Sequence, residues 1–273
     1  KLFLCNYTVL MIHKSAIVHH SAKIGKNTRI GAFTIIGANV DIGQNCIVYN
    51  HVNIEGNTKI GDKCKIFPFS SIGTIPQDLK FSGEKSQLII GNNVTIREHV
   101  TINTGTKGGG MVTKISDNCL LMVGSHIAHD CKVGKNVIFA NNATLAGHVE
   151  VHDDVIIGGL SAVHQFVRIG EGAMIGGMSG VVADIIPYGS VSGNRAKLIG
   201  LNLIGLKRRN VKKEDINLLR KLYKYLFLQN KTTFKTRINS VEKNYFESRC
   251  CFKLLEFLNN CSNRSYCMPD ETS

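Results

Sequence analysis

The chain has 273 residues, 43% of them hydrophobic, and a formal net charge of +13. That length and apolar content support one large core or two modest ones and exclude a disordered chain. Twenty-seven Gly against four Pro, with no Trp, favour many short strands joined by repeated turns over a helical bundle.

The first ten residues, KLFLCNYTVL, are apolar but interrupted by Asn6 and too short to span a membrane, and no small-residue cleavage site follows them. Residues 1–10 read as an extension ahead of Met11. The nine cysteines are odd in number, and several occupy small-residue positions of the repeat described next, so they read as reduced thiols of a cytosolic protein.

From Ile12 an aliphatic residue returns every six positions, through Val18, Ile24, Ile30, Ile36 and onward to Ile72, usually followed by Gly. Four places after each stands a small or β-branched residue, such as Ala16, Thr28, Thr34, Cys46 or Cys64. The period resumes at Ile90, Ile96 and Ile102, and then runs in a new phase from Ile115 to Val181. Six is neither a helical nor a simple strand period, so each hexapeptide predicts a short strand plus a corner, and three of them one triangular coil. Successive coils stack roughly 4.8 Å apart as parallel sheets, with the aliphatic and the small residue filling the interior.

Two insertions interrupt the coil, Gly73 to Leu88 and Thr104 to Val112, and both predict surface loops. The second, TGTKGGGMV, is glycine-rich, but a strand follows it instead of a helix, so it is a weak signal for nucleotide phosphate. The period fades after Val181, which sets the prism at 11–187 and a helical domain at 188–273. Ile216, Leu219, Leu222, Tyr223 and Leu226 fall on one helical face; two further short helices are expected near Ser240–Glu247 and Cys251–Leu258, followed by a frayed tail.

In this register His129 is the third residue of its hexapeptide and falls at a corner, pointing away from the core. Eighteen residues on lie Gly147 and His148, and eighteen further Gln165 and His164, which puts three histidines on one edge within about 10 Å of one another. His126 points outward from the adjoining strand. A single surface histidine is ordinarily just solvated, and His13, His19, His20, His51 and His152 read that way. Clustering beside Asp130 favours chemistry, since a carboxylate fixes the tautomer of a neighbouring imidazole and supports a general base. Stacked histidines can also bind zinc, but no cysteine or extra carboxylate completes a ligand set here, so no metal is expected.

The segments HIAHDC, NNATLAGHV, AVHQF, IPQDLK and GLNLIGLKRR resemble the signature segments of the UDP-N-acetylglucosamine O-acyltransferases, the hexapeptide-repeat enzymes that open lipid A biosynthesis. The resemblance implies an all-β left-handed parallel β-helix with a C-terminal α-helical domain. It also implies a cytoplasmic bacterial homotrimer with active sites between neighbouring prisms, an acyl carrier protein thioester as donor, and no cofactor beyond the carrier's phosphopantetheine. By the same resemblance His129 is the general base, Asp130 orients it, and the Gly147 N–H holds the oxyanion. His126, His148, His164, Gln165, Asn202 and Arg209 become nucleotide-sugar contacts, and Asp78 and Lys80 sugar contacts from the first loop. Arg208 steers the phosphopantetheine or its carrier. Gly177 stands at the acyl-chain ruler position, which implies a long 3-hydroxyacyl chain. Ile204 replaces a common acidic residue and Asn103 a common histidine, which implies weaker uridine or ribose affinity.

The charge fits an acidic partner: between Lys207 and Lys243 there are twelve Lys or Arg against three acidic residues. A basic face that binds nothing is the plain alternative. Nucleic acid is disfavoured because no aromatic-interleaved basic surface accompanies the charge. A zinc-dependent hydratase on the same prism and a non-catalytic scaffold remain the competing readings.

Overall fold

The computed structural model describes residues 11–229, 232–260 and 264–270; the expected extension at 1–10 lies outside them. Short strands stack into three sheets of nine, eight and ten strands, the faces of a left-handed parallel β-helix. We call them the first face (Ile17–Val18 to Gly180–Val181), the second (Lys23–Ile24 to Arg168–Ile169) and the third (Arg29–Ile30 to Lys197–Leu201).

The interior follows the hexapeptide rule. Ile36, Ile54, Ile66, Ile72, Ile96, Ile102, Leu121, Ile127, Leu145 and Ile157 are buried, and Thr28, Thr34, Cys46, Cys64 and Ser70 fill the small slots between coils. Burying each large aliphatic stabilises the fold by about 1.5–3 kcal/mol, so the column of them is the main source of cohesion. Ile12, in the first described coil, stays 42% exposed, because only Ile30 stacks on it there. The described cysteines are all free and buried.

Register survives both insertions. Asn53 pairs with Ser71 at a separation of eighteen, Ser71 with Thr101 at thirty and Thr101 with His126 at twenty-five. Each insertion is therefore extruded whole, and the ladder closes beneath it.

Stacking does not stop at residue 187. Ile185 pairs with Ile169 and Val191 with Ile175, each after sixteen residues in place of eighteen. Lys197–Leu201 then returns antiparallel on Gly189–Ser192 and ends the parallel stack.

Among the described residues four α-helices follow: α1 (Leu203–Arg208), α2 (Lys213–Phe227), α3 (Phe234–Asn239) and α4 (Arg249–Asn259). The expected apolar face of α2 is buried, while Lys213, Arg220, Lys221 and Lys224 remain outside. Glu214 and Asp215 in its first turn complement the helix dipole. The expected helix at Ser240–Glu247 is a 3₁₀ turn at Lys243–Glu247, and α1 and α3, six residues each, are too short for a periodic signal.

The tail is not frayed where it is described. Tyr266 forms a bridge with Asp184, the Cys267 N–H donates to the Asp184 carbonyl (2.8 Å), and Cys267 is buried. The short apolar run Tyr266–Met268 docks on the last coil, a long-range contact that no period announces.

Candidate active site

The three edges of the prism carry different residues at equivalent places. Between the second and third faces a left-handed corner recurs at Asn27, Asn45, Lys63, Asn93, Asn118, Asn136 and Asp154, with φ between 56° and 61°. Asparagine tolerates this conformation better than most residues, and its amides bond coil to coil, as from Asn93 Nδ2 to Asn118 Oδ1 (3.2 Å).

Between the first and second faces the same corner is occupied by Asp130, His148 and Phe166, with φ of 59°, 62° and 63°. A left-handed φ suits Asp and His better than most residues, whereas a bulky Phe there costs of order 1–3 kcal/mol. His129 and Gly147 immediately precede two of these corners.

His129 lies off the aliphatic core, but it is not solvent-facing: its side chain is 8% exposed and that of Asp130 fully enclosed. The cover is the second insertion. The Asp130 carboxylate accepts from the Thr106 hydroxyl (2.6 Å), from the Thr106 N–H (3.0 Å to each oxygen) and from His129 Nδ1 (2.8 Å). The Asp130 N–H in turn donates to the Thr113 hydroxyl (2.8 Å). Gly105 and Gly109 permit this approach, since a side chain on either would run into the carboxylate. A glycine-rich loop that read as a weak phosphate signal is thus a clamp on Asp130.

A carboxylate only accepts hydrogen bonds, so the contact orients His129 with its proton on Nδ1, the neutral form of which has its lone pair on Nε2. Against that ring packs Gly147: a Cβ there would lie 2.5 Å from Cε1 and 2.6 Å from Nε2. Among the described residues the Gly147 N–H meets no acceptor. The Gly147 backbone lies directly against the imidazole.

His148 stands edge-on to His129 with ring centroids 4.9 Å apart, stacks on Phe166 at 4.4 Å, and brings Nδ1 to 4.0 Å from Asp130 Oδ2. Burial holds its pKa below the ordinary histidine value, against the opposing pull of Asp130. Asp78, in the first insertion, adds a smaller pull in the same direction as Asp130. There Asp78 Oδ1 accepts from the Lys80 N–H (3.0 Å), and Lys80 is exposed. The two insertions are tied together: Glu84 accepts from the Lys107 N–H (2.9 Å), and this bond foremost holds its carboxyl down at about 2.

His126 bonds Thr101 Oγ1 through Nδ1 (2.7 Å), and burial lowers its pKa too. His164 and Gln165 lie exposed one coil above Gly147, where His164 Nδ1 is 2.8 Å from Arg264 Nη2 of the tail. Asn103 is a buried strut, its amide donating to Thr74 Oγ1 and the Ile75 carbonyl (3.0 Å each) at the root of the first insertion.

The remaining residues singled out from the sequence lie on other edges of the prism. Asn202 caps α1 by accepting from the Gly205 N–H (2.9 Å) and donates to the Gly172 carbonyl (3.0 Å). Arg209 pairs with Asp154 (3.4 Å) over the Tyr188 ring, between the second and third faces. Arg208 and Ile204 are exposed on α1. Gly177 sits between the third and first faces, beside the Gly159 carbonyl and the exposed Met178. One prism does not bring these residues to His129.

Thr106, Gly105, Gly109, Thr113 and Phe166 were not expected at the site. The only signal for the first three was a glycine-rich interruption one coil before His129.

His129, Asp130 and His148 also offer three donor atoms within 4.8 Å of one another. Asp130 is already the acceptor of the His129 and Thr106 bonds, so a cation there would compete with them.

Known proteins share both halves of this architecture. A family model described as Udp N-acetylglucosamine O-acyltransferase, domain 2, matches residues 184–267, and one for bacterial transferase hexapeptide repeats matches 21–56 and 113–147. An acyl-(acyl-carrier-protein) UDP-N-acetylglucosamine O-acyltransferase of Thermodesulfovibrio yellowstonii is 54% identical over 218 residues, 80% of this chain and 84% of that protein. The solved UDP-N-acetylglucosamine acyltransferase of Campylobacter jejuni is 40% identical, with a TM-score of 0.87 over 94% of this chain and 99% of that one. That of Francisella novicida is 36% identical, with a TM-score of 0.91 over 96% and 95%. The chain belongs to the UDP-N-acetylglucosamine O-acyltransferase family.

Proposed function

We propose that the protein transfers a 3-hydroxyacyl chain from acyl carrier protein to the 3-hydroxyl of UDP-N-acetylglucosamine, the first step of lipid A biosynthesis. The observation that carries this reading is the buried Thr106–Asp130–His129 chain, which holds His129 by Nδ1 and leaves its Nε2 beside Gly147.

In the reaction His129 Nε2 takes the proton of the sugar hydroxyl as its oxygen bonds to the thioester carbonyl carbon. The carbonyl oxygen becomes an oxyanion, and the Gly147 N–H donates to it. The intermediate collapses by breaking the carbon–sulfur bond, and the imidazolium returns its proton to the departing phosphopantetheine thiol. No cofactor enters beyond that arm. Asp130 stabilises the imidazolium while Thr106 keeps the carboxylate aimed.

Substrate groups fall to the side chains around this centre. His126, His148, His164, Gln165, Asp78 and Lys80 bind the nucleotide sugar along the first-to-second edge. Asn202 and Arg209 reach the same substrate from another copy in a homotrimer, since they stand on a different edge of their own prism. Gly177 limits the far end of the acyl chain and permits a long one. Arg208 and the basic face of α2 steer the acidic carrier. No described helix is long and apolar enough to cross a membrane, and we assign the reaction to the bacterial cytoplasm, where carrier and nucleotide sugar are made.

The test is transfer from a panel of acyl carrier protein thioesters to UDP-N-acetylglucosamine, followed by mass of the acylated nucleotide sugar. A long 3-hydroxyacyl donor should be preferred; no product with any donor would overturn the reading. A second reading, a metal-dependent hydratase, has the His129, Asp130 and His148 donor set behind it. Stoichiometric zinc in purified protein, with activity lost to a chelator, would favour that alternative.

A further inference from the structure

The C-terminal tail delivers an arginine to the site edge from outside the repeat. Its attachment is backbone work. The Asp184 N–H donates to the Ser265 carbonyl (2.8 Å), Cys267 N–H to the Asp184 carbonyl (2.8 Å) and Leu198 N–H to the Met268 carbonyl (3.0 Å). Asp184 itself is fully buried and paired through its carboxylate with Arg168 Nε (2.8 Å). Just before this anchored segment, Arg264 Nη1 donates to the Val182 carbonyl (3.2 Å) and Nη2 lies 2.8 Å from His164 Nδ1. Val182 is the residue one coil above His164. A cavity of about 540 Å³ opens beside them, lined by Phe166, Val182, Arg264 and Ser265. Phe166 is the ring on which His148 stacks.

The His164 ring nitrogen has two possible partners, and they demand opposite protonation. Nδ1 is also 3.3 Å from the Gln165 carbonyl, which only accepts. A proton on Nδ1 would donate to that carbonyl and leave Nε2 as an acceptor. A guanidinium only donates, so the shorter contact with Arg264 requires a lone pair on Nδ1 and moves the proton to Nε2.

We infer that Arg264 is a positioning residue that holds His164 as the neutral Nε2–H tautomer, so that His164 offers a hydrogen-bond donor to an oxygen of the nucleotide sugar. The inference rests on the acyl-transfer reading for the identity of that ligand and deepens it: the tail, 100 residues away in sequence, sets the hydrogen-bonding sense of a substrate contact. Without Arg264, His164 turns its acceptor outward and rejects the same oxygen.

The test has two arms. Histidine labelled with carbon-13 and nitrogen-15 in the wild-type protein reports the His164 tautomer by NMR, its signal identified by loss in His164→Asn. The Nε2–H form is expected, with a change to Nδ1–H in Arg264→Met. An Nδ1–H form or an imidazolium in the wild type at neutral pH would overturn the inference, as would an unchanged tautomer in a folded Arg264→Met protein. The wild-type reading needs neither the variant to fold nor the enzyme to turn over, so it stands apart from failure of the functional reading. In the second arm Arg264→Met raises KM for UDP-N-acetylglucosamine about tenfold with kcat within about twofold. The double variant with His164→Asn should bind no worse than His164→Asn alone. A fall in kcat at unchanged KM, or additive losses in the double variant, would contradict the role.

Discussion

Two edges of the prism share one backbone and differ in what they carry. At the second-to-third edge the corners are mostly Asn, which suits a left-handed φ and bonds to its copy in the next coil. At the first-to-second edge the corners are Asp130, His148 and Phe166, at nearly the same φ, and an insertion folds down over Asp130. In a repeat protein the structural requirement is identical at every coil, so departures from the repeat mark where something else is required. Here that departure is the Asp130 carboxyl group sealed under a loop, with the His129 imidazole hydrogen-bonded to it.

Changes at the His129 end of the first edge should therefore damage turnover, and changes at the asparagine corners of the second only stability. The largest effect among the supporting residues is expected for Asp130→Asn, which removes the charge that stabilises the imidazolium and lets the His129 proton move to Nε2. Steady-state kinetics should show kcat down by roughly three to four orders of magnitude, with KM little moved. Gly147→Ala comes next. The added methyl meets the His129 ring, and displacing a base by about 1 Å costs on the order of a hundredfold in kcat. Thr106→Val deletes the 2.6 Å hydroxyl bond to Asp130 but keeps the N–H contact; a loss of about tenfold in kcat is expected. On the other edge, Asn93→Ala should lower unfolding free energy in urea by about 1 kcal/mol and leave kcat unchanged.

The smallest effect concerns pH. His126 and His148 have pKa values lowered by burial, so below the ordinary value of about 6.5 the unfolded chain binds more protons than the folded one. Stability is then complete above that pH and falls on acidification through the window beneath it. Melting temperature should decline modestly from about pH 7 to 5.5, before carboxylates such as Glu84 begin to titrate. A flat profile, or one that rises on acidification, would contradict the burial assigned to both rings.

Much of this was legible from spacing. The aliphatic column fixed the coil, and eighteen-residue arithmetic brought His129, Gly147 and His148 to one edge, because a ladder in register propagates position faithfully. Spacing says nothing about what an insertion does after it leaves the ladder, so the return of Thr106 and Gly109 onto Asp130 was invisible. The tail was misread for a related reason: Tyr266, Cys267 and Met268 are too few to show a period, yet they meet a single exposed coil end. Asn202, Arg208 and Arg209 came from motif likeness alone, and in one chain they sit on a different edge from the base.

The central claim is that turnover depends on the lone pair of His129 Nε2. It is tested most directly by acyl transfer to UDP-N-acetylglucosamine in wild type and His129→Ala, measured beside melting temperature and oligomeric state. The account predicts a fall in kcat of about a hundred- to ten-thousandfold with folding and assembly intact. A folded His129→Ala protein that turns over at the wild-type rate would contradict it.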